Sequence, residues 1–282
     1  MILTDMTMTN DPMPRFSANL GFLFSDRPDL ERVAAAADSG FRAVEMHWPY
    51  AVPAQDMRAA LTRSGVAMLG LNTPVGNAAA GEFGLGALPG READFRQAFD
   101  QALSYGAAIG ASAVHCMAGV VAPDATEAAM RTFVTNLREA ADKAAAAGMT
   151  ILIEPINHRD KPGYVLHRVE QAASVIEAVG RKNVKIMFDC YHTQIEGGDL
   201  IERFAAHRDL VGHVQIAAVP SRAEPDEGEI AYPEVLRAIG RLGYAGWIGA
   251  EYKPRGRTED GLGWLNAWSD APRASRSQEV PA

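Results

Sequence analysis

The chain has 282 residues, of which 48% are hydrophobic and 22% charged, with a formal net charge of -8 at pH 7. A phosphate-backbone partner would call for a basic stripe, whereas the 27 Lys and Arg are scattered among 35 Asp and Glu, so nucleic acid is set aside as a partner. No apolar run nears the roughly 20 residues that span a bilayer, which sets aside a membrane as well.

Residues 1–14 are polar and rich in Met and Thr, with no basic segment leading into an apolar core, and read as a flexible extension rather than a signal peptide. The folded domain is expected over 15–270, and residues 271–282 have the low hydrophobicity of a disordered tail. Cys116 and Cys190 each sit inside an apolar, strand-like run, which fits buried thiols in a reducing, cytoplasmic setting better than a disulfide framework.

Between those limits apolar runs alternate with stretches of period near 3.6. A strand over 16–20 precedes a helix over 28–39, and strands over 43–47 and 67–72 precede helices over 55–64 and 92–109. The pattern continues with strands over 113–117, 150–154, 185–189, 212–216 and 247–251, and helices over 126–147, 169–179, 200–207, 232–241 and 258–268. Gly40, Gly65, Gly110, Gly148, Gly180 and Gly243 fall just past helices, where a left-handed residue ends a helix well. Eight strand-helix units predict an α/β fold, a single closed (β/α)8 barrel. An open doubly wound sheet is the rival, but residues 16–21, Phe-Ser-Ala-Asn-Leu-Gly, lack the glycine spacing of a dinucleotide fold.

Two connections, 73–91 and 217–229, are long and rich in Gly and Pro, and both leave C-terminal strand ends, the face on which barrel active sites are built. Glu154, Asp189, Gln215 and Glu251 end the last four strands on that same face. Singly each has a plain reading: Asp189 as a helix cap, Glu251 as a partner of Lys253, Gln215 as a satisfied core amide. Together on consecutive strands they predict one shared site, because three carboxylates without a cation would repel until some took up protons. An all-oxygen donor set favours one divalent ion, Mg²⁺ or Mn²⁺, over Zn²⁺.

His192, three residues past Asp189, is expected on the loop above that site. Arg222, in the second long loop, is the cation best placed to meet an anionic group of a substrate. His47, Trp48 and Asn72 end strands two and three and could line the opposite wall, while Lys253 adds positive charge near Glu251. For His158, ring packing is the safer expectation. Two glutamates on different strands suit proton transfer next to a carbonyl, with an enediolate formed and either isomerisation or epimerisation as the outcome.

With these residues in view, the chain resembles the hydroxypyruvate isomerases of the xylose-isomerase-like barrel superfamily. The resemblance runs from about Arg15 to Trp268 and is carried by Arg15-Phe16-Ser17-Ala18-Asn19-Leu20, Pro89-Gly90-Arg91-Glu92, Ile153-Glu154-Pro155-Ile156-Asn157, Gly228-Glu229-Ile230 and Glu251-Tyr252-Lys253-Pro254. It implies interconversion of hydroxypyruvate and 2-hydroxy-3-oxopropanoate. It also implies Glu154 and Glu251 as catalytic residues, Glu154, Asp189, Gln215 and Glu251 as metal ligands, and His192 and Arg222 as substrate contacts. Related sugar 3-epimerases usually carry His where this chain has Gln215. The apolar segment Gln215-Ile216-Ala217-Ala218-Val219-Pro220 instead looks like that of the 2-oxo-tetronate isomerases, which act on a substrate one carbon longer.

Two rival classes are a phosphodiester hydrolase on the same barrel, which would want a His-rich multi-metal cluster, and a catalytically silent binding barrel. A homo-oligomer built through outer helices is left open; the Ala-rich stretch 127–147 offers a flat surface, but such a face is more often core packing.

Overall fold

The computed structural model describes residues 14–268, so the extension expected over 1–14, Pro14 apart, and the tail expected over 271–282 lie outside the described residues. Eight parallel strands close on themselves in chain order: β1 Arg15–Asn19, β2 Ala43–Met46, β3 Ala67–Asn72, β4 Ala113–His115, β5 Thr150–Ile153, β6 Val184–Asp189, β7 Val211–Ile216 and β8 Trp247–Ala250, with β8 pairing back onto β1. The barrel expected from the sequence is the fold. Around it run α1 Asp29–Asp38, α2 Ala54–Ser64, α3 Glu92–Ile109, α4 Thr126–Ala146, α5 Val169–Val179, α6 Cys190–Glu196, α7 Leu200–His207, α8 Tyr232–Arg241 and α9 Gly263–Trp268.

Strand alternation divides the interior into two spaces. Ile151, Ile153, Ile186, Phe188, Val214 and Ile216 face outward into the main core beneath the helices. Ala113, Leu152 and Met187 form a separate small apolar cluster. In α4 the buried face is Ala129, Phe133, Leu137, Ala140, Ala141 and Ala144, so the Ala-rich stretch packs inward on the barrel.

Three local features differ from the sequence reading. The segment after β6 is a helix, not a loop: Asp189 accepts the Tyr191 N–H at 2.7 Å through its side chain and so starts α6. Strands β1, β2, β5 and β8 stop one residue early and β4 two, leaving His47, Glu154 and Glu251 just beyond their strands. The last expected helix is a 3-10 turn, Thr258–Gly261, followed by α9.

Both long loops are tied down over the barrel mouth. In the first, Gly86 and Ala87 donate to the carbonyls of Met117 and Ala118, and Asn136 donates to Gly86. Gly84 stands at φ +112°, and a Cβ there would lie 2.7 Å from the Met117 carbonyl oxygen, so glycine alone fits. In the second, the Arg222 N–H reaches the Ala218 carbonyl at 2.7 Å and its own carbonyl accepts from Lys253 at 2.7 Å. These bonds hold Arg222 at φ 55°, a left-handed backbone that costs a side-chain-bearing residue about 1–3 kcal/mol.

Candidate active site

Glu251 is the centre of a paired cluster. Its Oε1 accepts from Asn19 Nδ2 at 3.0 Å and lies 2.8 Å from His47 Nε2, while Oε2 meets Arg222 at 3.2 Å. Arg222 also reaches Asp160 at 3.3 Å and lies between the rings of Phe22 and Tyr191, at 5.1 and 5.0 Å. Burial alone would raise the Glu251 carboxyl, but the His47 hydrogen bond and the Arg222 charge outweigh it and hold it down at about 2.

Next to it lies a cluster of the opposite kind. Glu154 Oε1, Asp189 Oδ2 and Gln215 Oε1 are buried oxygens without a hydrogen-bond partner. Burial pushes the Glu154 carboxyl well above its ordinary range, and the charges of Glu251 and Asp189 push it further. The Asp189 carboxyl is pushed up to about 7, first by burial and then by Glu251. Unpaired buried acceptors are rare in folded proteins, and three on neighbouring strands mark a place where a charged partner would be favoured.

His192 presents Nε2 to this cluster, 3.7 Å from Glu154 and 3.6 Å from Asp189. Its other nitrogen, Nδ1, accepts the Asn157 backbone N–H at 3.3 Å, with Asn157 Nδ2 2.6 Å away. Burial, aided by Arg222, keeps the ring well below its usual pKa and therefore neutral. With Nδ1 accepting, the proton sits on Nε2, so His192 is a hydrogen-bond donor toward the site. His115, also kept neutral by burial with a pKa of about 4, lies 3.6 Å from Glu154 and 3.2 Å from Asn72 through Nδ1.

A cavity of about 380 Å³ runs from Asn19, Asn72, Glu154 and Glu251 down the bore to Lys185 and Trp247 at the opposite end. Barrel interiors are usually filled by bulky branched side chains. Here Gly70, Ala113 and Gly212 leave the bore open. The side of the cavity near Gln215 is polar: Glu45 accepts from Ser17 at 2.9 Å and Gln215 at 2.9 Å and lies 3.1 Å from His213 Nε2. Burial alone would lower the His213 pKa, but Glu45 overrides it and raises it.

Gly249 leaves room for that group, since a Cβ there would fall 2.2 Å from Glu45, 2.9 Å from His213 and 3.0 Å from Gln215. Gly249→Ala is expected to cost about 1–3 kcal/mol by overpacking. Thermal unfolding checks this, and a melting temperature equal to that of the unmodified chain would show the buried group to be looser than described.

The xylose isomerase-like TIM barrel model matches residues 33–268, most of the chain. The chain belongs to that family. Over 91% of its length it is 49% identical to the 2-oxo-tetronate isomerase of Cupriavidus necator, covering 99% of that protein. Over the same share it is 40% identical to the hydroxypyruvate isomerase of Escherichia coli, covering all of it. A crystal structure from Brucella melitensis described as an AP endonuclease of family 2 superposes with a TM-score of 0.89 at 42% identity, covering 92% of this chain and 100% of that one. By these relatives the chain is an enzyme of the isomerase class.

Within this family barrel, Glu154, Asp189, Gln215, Glu251, His192, Arg222, His47 and Asn72 converge on one mouth. Lys253 stands at the rim, exposed, with Nζ 5.9 Å from the Phe22 ring that Arg222 also meets, and Glu251 pairs with His47 and Arg222 rather than with it. Trp48 is half exposed, its indole N–H bonded to the Thr73 carbonyl at 3.1 Å. His158 stacks on His167 with ring centroids 3.9 Å apart, as packing would have it.

Sequence reasoning passed over Asn19, His115, Asn157, Glu45 and His213. Asn19 and His115 carry the same strand-end signal as the others, on β1 and β4. Glu45 and His213 stand two residues before His47 and Gln215, hence on the same face of their strands.

Proposed function

We propose that this isomerase moves a carbonyl between C2 and C3 of a small 2-oxo acid bearing a hydroxyl on C3, with one divalent cation held by Glu154, Asp189, Gln215 and Glu251. The observation that carries this is the trio of unpartnered buried oxygens on Glu154, Asp189 and Gln215. Their hard, mostly anionic character fits Mg²⁺ or Mn²⁺. When bound, such an ion supplies Lewis-acid charge that favours the enediolate form of the substrate.

The chain's own groups supply the proton traffic. Glu251, held ionised, is suited to take the proton from C3, and Glu154, the second glutamate of the site, to carry the proton that C2 receives. The hydroxyl proton passes from the C3 oxygen to the C2 oxygen, so the reaction is redox-neutral, and in the reverse direction the two glutamates exchange roles. Neutral His192 donates through Nε2 to a substrate oxygen. Arg222, fixed between Phe22 and Tyr191, supplies positive charge for an anionic substrate group.

Within this class the four-carbon 2-oxo-tetronate is the favoured substrate. The 49% identical relative is a 2-oxo-tetronate isomerase, and Ile216, Ala217, Ala218 and Val219 after Gln215 form a buried, wholly apolar segment. The three-carbon hydroxypyruvate is the second reading, supported by the Escherichia coli relative. Phosphodiester cleavage, suggested by the description of the Brucella melitensis structure, fits less well with a net charge of -8 and an oxygen-rich donor set.

Deuterium uptake tests the proposal. In deuterated buffer with Mg²⁺, mass spectrometry should show enzyme-dependent label entering 2-oxo-tetronate faster than hydroxypyruvate. Label in neither acid, with Mg²⁺ or Mn²⁺, would sink the reading, and faster entry into hydroxypyruvate would reverse the order of substrates.

A further inference from the structure

We propose that Glu45 is a positioning residue that fixes which atom Gln215 turns toward the metal site, an inference that rests on the metal reading above. The need arises from the chemistry of the ligands. Glu154 and Asp189 present an oxygen whichever way their carboxylates turn, but an amide presents either an oxygen or an NH₂ group, and the NH₂ would repel a cation. Something in the protein must choose.

Glu45 makes the choice. Its carboxylate, on β2 and 5% exposed, takes the Gln215 Nε2 hydrogen on Oε2 at 2.9 Å and the Ser17 hydroxyl on Oε1 at 2.9 Å, with His213 Nε2 3.1 and 3.2 Å from the two oxygens. Both Glu45 oxygens accept here, from Ser17 and from Gln215, so a flipped amide would bring the Gln215 oxygen against a carboxylate oxygen. Gln215 Oε1 is thereby left on the other side, buried and without a partner. His213 Nε2 closes the group on its remaining side, and Gly249 makes space for it. A buried polar group of this kind adds little stability by itself, and orienting one amide gives it a purpose.

The test uses the isosteric Glu45→Gln and reads Mn²⁺ affinity of the purified protein without substrate, by the electron paramagnetic resonance of free Mn²⁺, beside a thermal melt. Loss of an orienting partner of a metal ligand typically lowers affinity about 10- to 100-fold. That loss is expected in Glu45→Gln and should vanish in a Gln215→Ala background, where there is no amide to orient. The charge-conserving exchange Glu45→Gln with Gln215→Glu should restore affinity, because a carboxylate at position 215 faces the site with oxygen either way and the amide then at position 45 can donate to it.

Equal losses in both backgrounds, unchanged affinity in Glu45→Gln, or failure of the exchange to rescue a folded protein would each overturn the proposal. Should Glu45→Gln not fold, the exchanged pair compared with Gln215→Glu alone carries the same decision: higher affinity in the pair supports it, equal or lower affinity overturns it. If Gln215→Ala itself leaves Mn²⁺ affinity intact, the metal reading fails rather than this refinement of it.

Discussion

Replacing either Glu154 or Glu251 with glutamine should lower isomerase turnover by about 10²- to 10⁴-fold, the range for losing a general acid or base. The two variants should nevertheless part company in stability. Glu154 carries an unpartnered buried oxygen and a carboxyl pushed strongly upward, so in metal-free protein the neutral amide should leave the melting temperature unchanged or higher. Glu251 is satisfied by Asn19, His47 and Arg222, and its loss leaves Arg222 with Asp160 as its remaining carboxylate partner here, so Glu251→Gln should melt lower. Deuterium exchange and circular dichroism melts read both quantities. Turnover like that of the unmodified enzyme in either variant would remove that glutamate from the proton path.

Metal binding should weaken as pH falls through about 7. Asp189, with its carboxyl near that value, and Glu154, pushed above the ordinary range, must give up protons before they can hold a cation. Each proton displaced costs about a tenfold loss of apparent affinity per pH unit on the acid side. Stability follows the same linkage with a definite sign. A carboxyl whose pKa is raised by folding makes the folded state bind more protons, so the metal-free protein loses stability as pH rises from the ordinary carboxyl range toward 7. Melts with chelator should therefore be lower at pH 8 than at pH 5.5 as far as this site is concerned, and the gain on adding Mn²⁺ should be larger at pH 8. A Mn²⁺ gain independent of pH would mean that these carboxyls are not where the ion binds.

Much of this architecture can be read from residue order because a barrel repeats one simple unit. Each apolar run and its following helix carry their own local signals, and Gly65, Gly110 and Gly180 do end their helices in left-handed geometry. The converging residues of the mouth were legible for the same reason, since polar residues at or just past the C-terminal ends of parallel strands in a closed barrel gather around one opening. What escaped was set by contact rather than by order. α6 is short and follows its strand without a spacer, so its periodicity has too few residues to register. Lys253 sits beside Glu251 in sequence yet does not pair with it, because Arg222 arrives from the loop after the preceding strand and takes the place beside the carboxylate. The pair Glu45 and His213 is separated by 168 positions and is joined only by the closing of the barrel.

Asp189 has its two carboxylate oxygens on different duties: Oδ1 starts α6 through the Tyr191 N–H, and Oδ2 is left facing His192 and the open cluster. That division makes it the least exchangeable residue of the mouth. A redesigner wishing to change the preferred ion could vary Gln215, which is anchored from the side of its strand and begins no helix. Any change at Asp189 would also loosen the turn that carries His192, so ion preference and substrate grip would shift together, and a new specificity reached through that residue would come with a new local backbone.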